Sequence, residues 1–137
     1  MLAMGADVSS DGKVHLFGAG FDTLEVPKIP ANAGPFYLVV KLSGDSSDPH
    51  TAHTLTITGI RVDGESTQLF EQPGITFPPA KHEDQPRTFA ASIVQVGLHV
   101  TRPGKFQFAI DVDGEPVGSV PLWIVDKSSP VEGSSDA

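Results

Sequence analysis

Phe106, Phe108, Ile110 and Val112 occupy every second position and run directly into Asp113-Gly114. Alternation at period two puts four apolar side chains on one face of an extended strand. Asp-Gly supplies the left-handed backbone that a two-residue hairpin turn requires. The pairing of strand and turn recurs. Asp63-Gly64 closes the run Leu55-Thr56-Ile57-Thr58-Gly59-Ile60-Arg61-Val62, and Asp11-Gly12 stands between Val8 and Val14-His15-Leu16-Phe17. A chain punctuated in this way, with no window of helical period, builds its core from sheets.

The rest of the sequence fills in that frame. Residues 2 to 8 and 13 to 21 predict a first hairpin, with Gly18 and Gly20 marking a bulge or a close strand approach. Val26-Pro27-Lys28-Ile29-Pro30 and Asn32-Ala33-Gly34-Pro35 read as a stiff connection, because proline donates nothing to a ladder. Phe36 to Leu42 is the most continuously apolar run and predicts a central strand covered on both faces. Thr67 to Phe70 predicts a short partner for the strand before Asp63-Gly64. Residues 71 to 87 hold Pro73, Pro78, Pro79 and Pro86 and are expected to be irregular. Thr88 to Gly97 and Val117 to Val125 complete the set. The expected fold is all-β: an antiparallel two-sheet β-sandwich of about eight or nine strands, compatible with a jelly-roll order. Residues 1–126 form one domain in this reading, and 127–137 a flexible acidic Ser/Gly-rich tail.

Charge narrows the function. The formal net charge is -8, and no Lys/Arg stripe offsets it, which disfavours nucleic acid and anionic membranes as partners. There is no cysteine, so disulfides, thiolate metal sites and a thiol nucleophile are excluded. The first residues carry neither a basic leader nor a long apolar stretch, so no signal peptide is expected. The expected location is the cytoplasm, or a virion if the gene belongs to a phage.

Chemistry-bearing patterns are few. His50, His53 and His82 come nearest to a metal constellation, with Asp45, Asp48, Glu83 and Asp84 beside them. On an extended strand, however, His-x-x-His points its rings to opposite faces, and no metal or other cofactor is expected. Gly-x-Ser-x-Gly is absent. Asp11, Asp63 and Asp113 fall in turns, where a carboxylate serves the local backbone. Phe17-Gly18-Ala19-Gly20-Phe21 lies in a strand pattern and not before a helix, so it is no phosphate loop. The chain is therefore expected not to be an enzyme.

Contact residues are easier to nominate. Gly74-Ile75-Thr76-Phe77-Pro78-Pro79 carries two apolar side chains on a stiff segment, which suits docking with little entropy loss. The alternative is that Ile75 and Phe77 fold back to plug one end of the core. Trp123 falls on the face opposite Leu122 and Ile124 if the alternation holds, and is either a binding anchor or core and interface filler.

Lys13-Val14-His15-Leu16-Phe17-Gly18-Ala19-Gly20-Phe21, and Arg102-Pro103-Gly104-Lys105-Phe106-Gln107-Phe108 with its strand and Asp113-Gly114-Glu115, resemble an uncharacterised bacterial or phage family of small β-sandwich proteins. The resemblance covers most of residues 1 to 125 and implies a fold without an activity. The functional expectation is a non-enzymatic structural or interaction module. It would be an accessory or decoration-type subunit of a larger assembly such as a phage particle, meeting a protein partner or itself through Ile75, Phe77, Trp123 or a strand edge. A ligand-binding sandwich holding carbohydrate or metal in its end loops is the alternative.

Overall fold

The computed structural model describes residues 1–8, 14–45, 51–82 and 84–127, and all regular structure within them is β. Ten strands follow in order: β1 (Leu2–Ala3), β2 (Gly5–Val8), β3 (Val14–Phe17), β4 (Thr23–Val26), β5 (Ala31–Asp45), β6 (His53–Ile60), β7 (Ser66–Ile75), β8 (Arg87–Val100), β9 (Gly104–Val112) and β10 (Glu115–Asp126). They form three sheets ordered β1-β5-β8, β4-β10-β9-β6-β7 and β2-β3. The all-β expectation holds. The two-sheet sandwich of eight or nine strands does not, for two local reasons. Gly18 and Gly20 have φ of 58° and 88°. These glycines do not bulge a continuing strand; they end β3, so the first hairpin stands as a sheet of its own. The four residues of β4 then pair in parallel with β10, Thr23 beside Trp123 and Val26 beside Asp126, where only antiparallel pairs were expected.

The two larger sheets share one core. Phe36, Leu38 and Val40 of β5 and Val94, Val96 and Leu98 of β8 are buried with Leu55, Ile57, Phe108, Ile110, Leu122 and Ile124 of the five-stranded sheet. Phe36 meets Phe108 edge-on at 6.3 Å between centroids. Each such side chain removed from water contributes about 1.5–3 kcal/mol, so the alternation read along β9, which buries Phe108 and Ile110, adds directly to the cohesion of the core.

Both Asp-Gly pairs among the described residues turn the chain, but only Asp113-Gly114 makes the expected two-residue turn; Asp63-Gly64 lies in a five-residue loop between Ile60 and Ser66. Asp113 and Gly114 take φ of 54° and 81°, the left-handed pair that joins β9 to β10. At Asp63-Gly64 the Arg61 amide donates to the Glu65 carbonyl at 2.8 Å, and Asp63 Oδ1 accepts from the Glu65 amide at 3.0 Å. Asp11-Gly12 lies outside the described residues.

Proline misled in two places. β5 begins at Ala31, inside the expected connection, because its register with β8 shifts between Ala33 and Phe36. That bulge takes up Gly34-Pro35; Gly34 has φ of 107°, and a Cβ there would stand 2.7 Å from the Val96 carbonyl oxygen. β7 likewise runs through Pro73 to Ile75, into the segment expected to be irregular. The position is permissible because β7 is an outer strand. β5 is central in its sheet as predicted, but Tyr37 and Val39 on its outer side are only half-buried. Of the expected tail, Lys127 is described: its amide donates to the Val26 carbonyl, and its Nζ lies 3.1 Å from Glu25 Oε2.

Candidate functional site

Each nominated residue has a definite place. Ile75 and Phe77 are 7% and 6% exposed. Phe77 covers the backbone of Gly44, where a Cβ would collide with its ring, and lies 5.4 Å from the His53 ring. The stiff segment therefore plugs one end of the core, the second of the two sequence readings. Trp123 is 47% exposed, opposite buried Leu122 and Ile124, with Lys105 Nζ 5.9 Å from its centroid.

His53 and Asp113 come together although they are far apart in sequence. Asp113 sits at the tip of the β9–β10 turn, and its amide donates to the Thr54 carbonyl at 2.9 Å. Its carboxylate accepts from the Thr54 amide at 2.9 Å and faces His53 Nδ1 at 2.7 Å. The His53 hydrogen bond, then the Thr54 amide, hold the Asp113 carboxyl below the usual carboxylate range. With Nδ1 donating, His53 Nε2 keeps a lone pair that can accept a proton or ligate. The pair borders an open cleft shared with Lys41, Phe77 and Glu115. Its clearest work is mechanical, since it fastens the start of β6 to the β9–β10 hairpin. His82 is exposed, and His50 lies outside the described residues. Among the described residues no three His, Cys, Asp or Glu side chains gather as metal ligands would.

Strand order exposes a feature that the residue-by-residue reading did not nominate. β8 is fourteen residues long and, among the described residues, pairs only with β5. Its other side is an open edge. The direction of its peptide groups follows from β1. Val39 donates to the Met1 carbonyl at 2.7 Å and accepts from the Met1 ammonium at 3.0 Å, so both polar groups of Val39 face β1. Val39 is opposite Ile93. Peptide groups alternate along an antiparallel ladder, so Ile93 and every second residue around it turn N–H and C=O away from β5. Arg87, Phe89, Ala91, Ile93 and Gln95 thus turn their donors and acceptors to this edge, where no strand among the described residues pairs with them.

The same residues carry the outward side chains. Phe89 is 52% exposed, with Lys41 Nζ 4.3 Å above its ring. Ala91, Ile93 and the half-buried Tyr37 and Val39 extend the apolar strip. The outer strands β1, β4 and β7 are guarded. β1 is closed on its far side by the bridge from Leu2 to Phe21, and β4 is four residues long with Glu25 in it. β7 contains Glu71 and Pro73, and its register with β6 shifts twice. Charged side chains, proline and irregularity are what natural edges use to refuse a partner strand. β8 has only Arg87, at its first residue, and neither acid nor proline nor bulge. The signal was present in the sequence, as an acid-free and proline-free run from Arg87 to Val100, but only strand order shows that the run is an edge.

An open all-β domain with one long, regular, unguarded edge is the class that these features define. The chain belongs to the family of unknown function DUF6941, whose sequence model matches residues 1–125. This agrees with the resemblance to an uncharacterised family. No curated protein and no solved structure matches it.

Proposed function

We propose that the protein is a non-enzymatic interaction module, an accessory subunit that joins an assembly by accepting a strand at the β8 edge. The observation that carries this reading is the row of peptide groups at Arg87, Phe89, Ala91, Ile93 and Gln95, which face the edge and pair with no other strand among the described residues, beneath an exposed apolar strip. In strand addition the backbone supplies affinity, and the alternate side chains supply selectivity. Burial of Ile75 and Phe77 moves the expected contact from that loop to the edge.

The test is an NMR titration with extended peptides of alternating apolar pattern. Shift changes should concentrate on the amides of Phe89, Ala91, Ile93 and Gln95 and vanish in the Ala91→Pro, Ile93→Pro double variant. Changes confined to the Trp123 face, or none anywhere, would reject strand addition.

A second reading has one supporting observation, the His53–Asp113 pair on the wall of an open cleft. It describes a small-ligand module. Calorimetric titration with zinc ion and with simple sugars tests it, and heat that disappears in His53→Ala would favour it over the edge.

A further inference from the structure

We infer that the strand received at the β8 edge is β8 of a second copy, so that two three-stranded sheets join into one continuous sheet about a two-fold axis at Ile93. This rests on the strand-addition reading and names its partner.

The register follows from the backbone. Only residues whose peptide groups face the edge can bond across it: Arg87, Phe89, Ala91, Ile93, Gln95 and, by the same pleat, Gly97 and His99. Two copies must therefore pair these residues with each other. The registers that use nearly the whole strand centre on Ile93 or on Val94. Centring on Ile93 sets Ile93 against its own mate, Ala91 against Gln95, and Phe89 against Gly97. Gly97 is exposed, and a Cβ built on it would meet nothing within 4 Å. The hollow above it is bordered by Pro35, Gln95 and His99. An exposed aromatic ring in one copy thus faces a vacant glycine in the other, a cross-strand arrangement that shields the glycine backbone. Centring on Val94 would instead oppose Phe89 to His99 and leave that hollow empty.

Charge favours the same occupant. A chain of net charge -8 repels its copies over most of its surface. β8 holds no carboxylate in fourteen residues, so this edge meets its mate without opposing acids. The self-contact should strengthen as salt screens the remaining repulsion, whereas an acidic partner drawn by Lys41 and Arg87 would be released by salt. Size sets the affinity. A standard interface uses about 20–30 residues a side, more than one strand and its neighbours supply, so the dimer is weak, with a dissociation constant on the order of micromolar or above.

Sedimentation of the full chain over a concentration series, at low and high salt, is the first arm of the test. The expected result is a monomer–dimer equilibrium, tighter in salt, that weakens at least tenfold in Ala91→Pro, Ile93→Pro. Thermal melting of that variant verifies that it is folded. Cross-linking is the second arm. The native chain lacks cysteine, and hydrogen-bonded partners across an antiparallel pair have Cα atoms about 5.5 Å apart, within disulfide reach. Ile93→Cys should oxidise to a covalent dimer, while Gln95→Cys, whose mate lies several residues away, should stay monomeric. A strict monomer whose edge amides still respond to extended peptides overturns the second copy and leaves strand addition standing. A dimer that survives the proline variant, or one linked through Gln95→Cys and not Ile93→Cys, overturns this interface and its register. Loss of both peptide response and dimer rejects both readings.

Discussion

β7 and β8 are consecutive, each lies at the margin of a sheet, and a single loop joins them, yet they meet solvent in opposite ways. β7 carries Glu71, Pro73 and two register shifts. β8 is longer, keeps one uninterrupted pleat, and carries neither acid nor proline. Ser92 Oγ donates to Gln72 Oε1 at 3.3 Å, so the two edges lie side by side and share the same solvent. Position in the fold therefore does not explain the difference. What the contrast teaches is that an edge is refused or offered by side chains and bulges, not by topology. In the proposed reading β7 refuses a partner strand and its neighbour β8 accepts one.

The loop between them buries Phe77 against β5 and β6, and breaking that contact should have the largest effect. Phe77→Ala empties the space over Gly44 and beside His53, and large-to-small changes at buried phenylalanines cost about 3–5 kcal/mol. Thermal melting should show a fall of at least about 10 °C. A fall of only a degree or two would mean that the loop is not core.

Proline scanning along β8 sharpens the contrast within one strand. Val94 bonds to Leu38 of β5, so Val94→Pro orphans a ladder acceptor at about 1–3 kcal/mol. Ala91→Pro breaks no ladder bond to β5 and adds only the strain of its fixed φ, so it should cost clearly less than Val94→Pro while abolishing association. Equal losses at both positions, read from denaturant unfolding, would contradict the assigned direction of the peptide groups.

Removing the guards from β7 reverses the comparison. Glu71→Thr with Pro73→Thr should leave melting nearly unchanged and add a second mode of self-association, visible as species larger than a dimer in sedimentation. If association is unaltered, acid and proline are not what closes β7.

The smallest effect concerns the His53–Asp113 clasp at the start of β6. Because Asp113 is held below its ordinary value, it contributes stability above the unfolded carboxylate pKa of about 3.9 and loses it as pH falls through the lower folded value. The melting difference between wild type and Asp113→Asn should be constant near neutrality and shrink on acidification below about pH 4. A constant difference down to pH 2 would exclude the carboxylate as the origin.

The elements most legible in the sequence are those whose cause is local. β9 and β10 were readable because four alternating apolar residues meet an Asp-Gly turn, and Trp123 falls outside as that alternation requires. β4 was not, because four residues contain too little periodicity, and its pairing with β10 is a tertiary event. Pro35 and Pro73 argued against strands at positions where a bulge and an outer edge accommodate them. His53 meeting Asp113 depends on the β6–β9 register, which no single-strand pattern specifies. The candidate interface was half-legible: the sequence displays a strand without acid or proline, and only the order β1-β5-β8 turns it into an edge.

Amide hydrogen exchange along β8, followed at increasing protein concentration, tests the central claim most directly. The account predicts two interleaved sets. Ser92, Val94 and Val96, bonded to β5, exchange slowly throughout. Phe89, Ala91, Ile93 and Gln95 exchange fast in the dilute monomer and become protected as copies associate. Uniform slow exchange along the strand at low concentration would contradict it, because the edge would then be closed before any partner arrives.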